Sequence, residues 1–295
     1  MPERRPDATL GESPSRDEAP VDPPPPTPPP LSARDHWFEE LADHLGPAYL
    51  RYSFTKGTSN EVSFLVSALG LEPGMRVLDV GCGPGRHAYA LGHLGVEVHG
   101  VDISERFVAL ARDGAPPGVT FERADARSLP FDAEFDAVIS LCQGAFGLTG
   151  GPAADQSGSS SGQSSSGHAP QPAAVPPLEP DAPVLRGIAR ALRPGGRAAV
   201  SAFSAYFQVR FLEDHDAFDA GLGVNHERTE VRDAEGRVKE VDLWTTCFTP
   251  RELRLLAADA GLVPDAIWSV TPGDYAARPP DLDHPEFLLV GRRPQ

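Results

Sequence analysis

One segment of the sequence constrains the fold more than any other: VLDVGCGPGRHAYAL, at residues 77–91. An apolar run leads directly into Gly81, Gly83 and Gly85, and the chain continues at once with a helical pattern. A glycine turn at the start of a helix lets backbone N–H groups face a polar ligand, because no Cβ atoms intervene. The segment therefore predicts a strand, a tight turn and a helix that together bind a nucleotide-like cofactor.

Short apolar runs alternate with helical patterns around this turn. Strand-like runs begin at Val77, Val96, Val119 and Phe135, and helical patterns follow the first two. Such alternation is typical of parallel strands joined by right-handed crossovers, so we predict an α/β fold with a doubly wound sheet. Two amphipathic helical patterns precede the first strand, and we predict that residues 33–70 form an N-terminal helical cap.

Two low-complexity segments divide the chain. Residues 1–32 contain PPPPTPPP and few large apolar side chains, so we expect a disordered tail. Residues 149–180 contain SGSSSGQSSSG, and the strand-helix alternation resumes after them with a helical pattern and the run RAAVSAF. We therefore predict that residues 33–295 form one domain and that residues 149–180 are a disordered insertion within it, not a linker between two domains.

The C-terminal part of the sequence combines clear and weak signals. Thr249, Pro250 and Glu252 supply an N-cap hydroxyl, a first-turn proline and a capping-box carboxylate, which predict a helix start. Strand-like runs begin at Ala266 and Glu286. Residues 204–242 show no clear period, and we expect them to be irregular.

Composition excludes several classes of partner. The net charge of -16 disfavours DNA or RNA, because their binding depends on basic patches. The three cysteines are widely spaced and have no histidines at zinc-site spacing, so we expect no metal. The sequence contains neither a secretory signal nor an apolar run long enough for a membrane span, and we expect a cytoplasmic protein.

The spacing of the glycines distinguishes between cofactors. A dinucleotide-binding turn has the pattern GxGxxG, but here Arg86 occupies the place of the third glycine. This departure disfavours NAD, although Asp102, 21 residues after Gly81, suits the ribose hydroxyls of either kind of cofactor. An NAD(P)-linked oxidoreductase therefore stays as an alternative, and so does a non-catalytic module that binds a cofactor.

The segment VLDVGCGPGR resembles motif I of the class I S-adenosylmethionine-dependent methyltransferases, in which an acidic residue, here Asp79, lies two places before the first glycine. FERADARSLPF and IARALRPGGRAAVSAF are similar to later motifs of that family. The resemblance covers residues 70–203 apart from the insertion. Within that family, the chain resembles more specifically the small-molecule enzymes of the methyltransferase 11/25-like type. It implies a Rossmann-like sheet of seven strands, mostly parallel with a reversed last strand, and S-adenosylmethionine as cofactor.

The resemblance also implies positions for the cofactor. Asp125 is expected to accept a hydrogen bond from the adenine amine, the Ala126 N–H to donate to the ring, and Ile103 to pack on the ring face. Tyr49, Tyr52, Lys56 and Thr58 are expected to close over its methionine end. The full set of predicted cofactor-binding residues is Asp79, Gly81, Cys82, Gly83, Gly85, Asp102, Ile103, Asp125, Ala126 and Leu141.

The chain after Leu141 should face the reacting methyl group, because ligands of such sheets lie beyond the carboxyl ends of the strands. It reads CQGAFG, where Gln143 and Phe146 are candidate pocket residues and Cys142 is interpreted as packed, with no basic partner visible. Related enzymes that act on base or amide nitrogens resemble one another in an Asp/Asn-Pro-Pro-aromatic motif here. Its absence favours a small-molecule substrate, methylated on oxygen, nitrogen or carbon.

We expect residues 204–248 to form a lid over the substrate, and candidates for a general base lie within this segment. His215 and His226 are the candidates, because an imidazole titrates near neutral pH. Both lie among acidic residues, in EDHD and NHER, which is more typical of a solvated surface. The sequence assigns no other catalytic residue.

Overall fold

The computed structural model describes residues 36–142, 144–148 and 181–295. The predicted tail at residues 1–32, the predicted insertion at 149–180 and Gln143 lie outside the described residues. No helix within the described part of the chain is both long and apolar enough to cross a membrane.

The predicted N-terminal helices are present. Helix α1 (Trp37–Leu45) begins at His36, whose side chain accepts a hydrogen bond from the Phe38 amide. Helix α2 (Thr58–Leu69) ends at Gly70, which has the left-handed conformation that favours glycine. Two short 3₁₀ turns join these helices, at Gly46–Arg51 and Ser53–Thr55.

Five parallel strands form the body of the sheet, in the order β3-β2-β1-β4-β5. The crossover helices lie between them along the chain, as the alternation predicts. These elements are β1 (Arg76–Val80), α3 (Arg86–His93), β2 (Glu97–Asp102), α4 (Glu105–Asp113), β3 (Val119–Arg123), β4 (Phe135–Ser140), α5 (Ala182–Ala191) and β5 (Leu192–Ser204).

The rest of the chain extends both the sheet and its helical layers. The C-terminal strand, Glu286–Arg292, is antiparallel to both of its neighbours, β5 and the strand Val263–Thr271, so the predicted reversal of the last strand is confirmed. The elements are α6 (Ala205–Arg210), β6 (Asp216–Asp219), β7 (Val224–Arg232), β8 (Val238–Phe248), α7 (Pro250–Asp259), β9 (Val263–Thr271), β10 (Asp274–Arg278) and β11 (Glu286–Arg292).

The sheet has more strands than the seven predicted. Its main path reads β10-β9-β11-β5-β4-β1-β2-β3, because a turn at Gly273 folds β10 back against β9 as an additional edge strand. β8 also joins the sheet, through two parallel pairs with the end of β5, and carries β7 and β6 with it.

Residues 204–242 are not irregular, contrary to expectation. They form α6 and most of an antiparallel ribbon of β6, β7 and β8. The strand β7 carries polar side chains on both of its faces, as in its sequence VNHERTEVR. Strands of this kind lack the apolar-polar alternation by which sequence analysis detects them.

Helices cover both faces of the sheet. One buried cluster packs α5 and α7 against the sheet, and the other packs α2, α3 and α4 against its opposite face. A third, smaller cluster joins Leu41 and Leu45 of α1 to Val231 of β7. The N-terminal cap therefore packs on the β6–β8 ribbon, above the carboxyl ends of the parallel strands.

Candidate cofactor site and adjoining cavity

The glycine turn after β1 is held by hydrogen bonds to the neighbouring strand. The amides of Gly81 and Cys82 both donate to the carbonyl of Val101, at 2.8 and 3.0 Å. Gly81, Gly83 and Gly85 all have positive φ angles, which residues with a Cβ adopt at a cost. The turn is thus pinned at the carboxyl edge of the sheet, where ligands of α/β proteins bind.

Asp102 ends β2 directly beside this turn. One of its carboxylate oxygens accepts from the Gly83 amide and the other from the Ser104 amide, each at 2.8 Å. Burial raises the pKa of this carboxyl to about 6, despite those two hydrogen bonds. The carboxylate is therefore fixed in place, and each oxygen keeps a second lone pair for a ligand hydroxyl.

Five of the predicted cofactor residues line one cavity, which we call the cofactor cavity. His36 and Phe38 from the N-terminal cap and Leu148 from the chain after β4 also line it. The His36 ring and the Trp37 indole both hydrogen-bond the Leu148 carbonyl, at 3.0 and 3.2 Å. The five predicted residues are Gly81, Asp102, Ile103, Asp125 and Ala126.

Asp125 is held by its neighbour Arg127. Its carboxylate accepts from the Arg127 amide at 2.8 Å and from the guanidinium at 2.6 to 3.0 Å. Burial raises the pKa of Asp125, but the Arg127 hydrogen bonds outweigh burial and leave the pKa below its usual value. Asp125 therefore stays ionised and can accept from a ligand amine.

Asp79 lies at the end of β1 and is 1% exposed. Its Oδ2 atom has no hydrogen-bond partner among the described residues, and burial raises the pKa of the carboxyl to about 7. A buried carboxylate oxygen without a partner costs free energy. Such an oxygen is suited to bind a cationic group, such as the ammonium of an amino acid.

A buried ionic cluster adjoins the turn. Glu61 of α2 accepts from Arg86, from His87 at 2.7 Å and from the Gly273 amide at 2.8 Å. Burial raises the pKa of Glu61, but His87 and Arg86 outweigh it and lower the pKa to about 2. Arg86, which sequence analysis treated only as a replaced glycine, thus anchors α3 to α2.

Cys142 belongs to the same cluster. The Arg86 guanidinium donates to its Sγ at 2.8 Å, so a basic partner does lie beside this cysteine, contrary to the sequence interpretation. Burial nevertheless raises the pKa of the thiol well above its usual value, and Cys142 packs as a thiol. Atoms of Glu61, His87 and Cys142 that could coordinate a metal ion lie within 4.8 Å of one another. Arg86 hydrogen-bonds Glu61 and Cys142, however, which is typical of an ion-pair network.

A second cavity of about 500 Å³ opens beside the first, and we call it the acceptor cavity. Phe38, Gly144 and Leu148 line both cavities. Its remaining walls come from the cap, from the β6–β8 ribbon and from the start of β11. They include Trp37, Tyr49, Tyr52 and Phe54 of the cap, Glu227, Thr229, Val231, Leu243 and Thr245 of the ribbon, and Phe203 and Glu286 of the sheet.

Comparisons with known proteins agree with this geometry. The sequence profile of a family described as a methyltransferase domain matches residues 77–150, which contain the turn, Asp102 and Asp125. The chain is 31% identical over 193 residues to 27-O-demethylrifamycin SV methyltransferase of Amycolatopsis mediterranei, over 60% of each chain. It is 28% identical over 236 residues to the cypemycin N-terminal methyltransferase of a Streptomyces species, over 75% of this chain and 84% of that one.

These matches support the resemblance of this chain to the class I S-adenosylmethionine-dependent methyltransferases. The CcbJ methyltransferase from Streptomyces caelestis has the same fold as this chain, with a TM-score of 0.66, 20% identity and coverage of 89% of this chain and 100% of that one. The alignments span 60%, 25% and 41% of three curated relatives.

The matches support S-adenosylmethionine as the cofactor, and the residues present fit it. The orphaned Oδ2 of Asp79 suits the methionine ammonium, and the Asp102 carboxylate suits the ribose hydroxyls. Ile103, Asp125 and Ala126 line the cofactor cavity, and they are the residues that the resemblance assigns to the adenine.

Three other predicted residues, Cys82, Leu141 and Phe146, line neither cavity. Cys82 and Leu141 pack in the protein core, and Phe146 stacks on Phe248 at 4.7 Å. Tyr49 and Tyr52, which were expected to close over the methionine end of the cofactor, line the acceptor cavity. Lys56 instead donates to the Leu50 carbonyl, and Thr58 accepts from Arg86.

The two candidate histidines lie outside both sets of lining residues. His226 stacks on Trp244 at 4.8 Å and hydrogen-bonds Asp242, on the face of β7 opposite to Glu227. His215 is exposed and lies 3.7 Å from Glu213, just before β6. Sequence analysis did not find His36, Glu227 or Glu286, because nothing local in the sequence relates them to the glycine turn.

Proposed function

We propose that this protein transfers the methyl group of S-adenosylmethionine to an oxygen, nitrogen or carbon atom of a small molecule bound in the acceptor cavity. One observation carries the proposal: the acceptor cavity and the cofactor cavity share Phe38, Gly144 and Leu148. Two ligands bound there would meet at these three residues. Such contact is what a direct displacement requires, since the reacting atoms must be aligned and close.

The protein's own groups supply binding and orientation. When bound, the cofactor supplies a methyl group on a positively charged sulfur, which is a good leaving group. Asp79 and Asp102 would hold its two polar ends, and the cap helix α1 would shield the methyl group from water. The aromatic side chains of the cap would position the acceptor.

The dimensions of the acceptor cavity support a small-molecule acceptor. A cavity of about 500 Å³ lies within the usual range for small-molecule sites, roughly 300 to 1,000 Å³. The names of the two relatives specify 27-O-demethylrifamycin SV and the cypemycin N-terminus as acceptors. We infer that residues 204–248, which contain the β6–β8 ribbon, act as the lid over this acceptor.

The proposal is tested by labelled methyl transfer. The protein is incubated with a cell metabolite extract and S-adenosylmethionine that carries a trideuterated methyl group, and products are analysed by mass spectrometry. We expect a small-molecule product that gains the labelled methyl only when the protein is present. Binding of S-adenosylhomocysteine without any labelled product would instead indicate a non-catalytic cofactor-binding module.

A further inference from the structure

Glu286 occupies a specific place in the acceptor cavity. It is the first residue of β11, and its backbone pairs with Phe203 of β5 and Val270 of β9. Since β11 runs antiparallel to β5, its first residue lies at the carboxyl edge of the parallel strands. Glu286 is 2% exposed and lines the cavity beside Cys142 and Gly144, which come directly after β4.

The charged residue types among the described lining residues of the cavity are all acidic. They are Glu227, Glu230 and Glu286, while Arg86 lies behind the lining and donates to the Cys142 Sγ. Burial is the main cause of the raised pKa values of Tyr49, Tyr275 and Cys142, and the charge of Glu286 adds to it in each case. Such a cavity attracts a cation and repels an anion.

The remaining lining is apolar and aromatic. Trp37, Tyr49, Tyr52 and Phe54 form one side, and Leu243 and Val231 face them from the ribbon. Side chains of this kind bind ring-bearing, apolar molecules, and aromatic faces also attract cations. The lining therefore fits a ligand with an apolar body and a positive group.

From this juxtaposition we propose that the acceptor is an amine on an apolar, ring-bearing body, and that Glu286 binds its nitrogen. The inference rests on the proposed methyl transfer and specifies its substrate class. The amine reacts as its free base, after its ammonium form has released a proton to water. The nitrogen lone pair then forms the new N–C bond as the S–C bond breaks, and the electrons of that bond stay on sulfur. The positive charge thus passes from sulfur to nitrogen, where a fixed carboxylate stabilises it.

A set of probes with one ring system tests the substrate class. Binding of 2-naphthylmethylamine, 2-naphthylmethanol and 2-naphthoate is measured by calorimetry with S-adenosylhomocysteine present at saturation. We expect the amine to bind about tenfold more tightly than the alcohol, and the carboxylate more weakly than either. Equal binding of the amine and the alcohol, or no binding of the amine, contradicts the inference. Both outcomes are measured on the wild-type protein, so they do not depend on whether a variant folds.

The role of Glu286 is tested with Glu286→Gln and with Glu240→Gln, an exposed acidic residue of β8, as the matched control. Glu286→Gln should remove most of the preference for the amine and leave the affinity for S-adenosylhomocysteine within about twofold, while Glu240→Gln should change neither. An unchanged amine preference overturns the role. A large loss of S-adenosylhomocysteine affinity also overturns it, because Glu286 would then bind the cofactor.

The two proposals fail in different ways. If S-adenosylhomocysteine does not bind the wild-type protein, the proposed methyl transfer fails. If it binds and labelled product forms, but the product is an ether of a neutral alcohol, only the amine assignment fails.

Discussion

Gly81 approaches Gly144 so closely that a Cβ atom on Gly81 would lie 2.6 Å from the Gly144 Cα and nearer still to its carbonyl group. Gly81 also has a φ angle of +75°. Gly81→Ala should therefore displace the chain after β4, destabilise the fold by about 2 kcal/mol or more, and weaken S-adenosylhomocysteine binding at least about tenfold. Chemical denaturation and calorimetric titration measure the two effects.

Gly118→Ala is the matched control for this prediction. Gly118 has a φ angle of +82°, but apart from its two chain neighbours no described residue has an atom within 4 Å of the position that its Cβ would take. The free energy of unfolding of this variant should fall only by the cost of placing Ala in the left-handed conformation, about 1 kcal/mol. The variant should bind S-adenosylhomocysteine normally. Equal losses in both variants would show that the contact with Gly144 has no special role.

The second prediction concerns pH and Asp79. Burial raises the pKa of Asp79 from 3.8 to about 7 in the folded protein. Between about pH 4 and 7 the folded state therefore keeps a proton on Asp79 that the unfolded chain has released. The stability contributed by that proton is present below pH 4 and is lost as the pH rises through 7. Asp79→Asn removes the charge, and at pH 8 it should be more stable than wild type by on the order of 3 kcal/mol.

Denaturation of both proteins at pH 5 and pH 8 measures this difference, which should be smaller at pH 5. Asp132→Asn, which changes an exposed carboxylate, should show no such pH dependence. Asp79→Asn should also bind S-adenosylhomocysteine more weakly at pH 8, because the ionised carboxylate is the partner of the ammonium. A variant that gains stability but keeps full affinity would place the ammonium elsewhere.

The third prediction concerns the buried cluster around Glu61. Glu61→Ala removes the carboxylate that pairs with Arg86 and His87 and leaves a buried guanidinium uncompensated. We expect a loss of about 3 to 5 kcal/mol in the free energy of unfolding. Arg186→Ala breaks the exposed pair with Asp259 and should cost less than about 1 kcal/mol, and a similar loss in both variants would contradict the argument from burial.

The capping box of α7 provides the fourth prediction. The Thr249 hydroxyl accepts from the Glu252 amide at 3.3 Å, and the Glu252 carboxylate accepts from the Thr249 amide at 2.6 Å. Thr249→Ala should lower the free energy of unfolding by about 1 kcal/mol, while Thr249→Ser should keep most of it. The capping argument fails if thermal unfolding shows that the two variants lose equally.

The parts predictable from sequence are those with a strong local signal. β1 to β4 have buried apolar runs, and Asp102 and Asp125 follow strands at fixed distances from the glycine turn, so their meeting at one edge was predictable. The acceptor cavity was not predictable from the sequence, because Tyr49, Glu227 and Glu286, which line it, come from three distant parts of the chain. The ribbon was missed as well, since both faces of β7 carry polar side chains.

We propose that the cavity formed by Gly81, Asp102 and Asp125 binds S-adenosylmethionine. Calorimetric titration with S-adenosylhomocysteine and, separately, with NAD tests it most directly. We predict saturable one-to-one binding of S-adenosylhomocysteine, no binding of NAD, and a loss of at least about tenfold in affinity in Asp102→Ala. Saturable binding of NAD with none of S-adenosylhomocysteine would contradict the assignment of the cofactor.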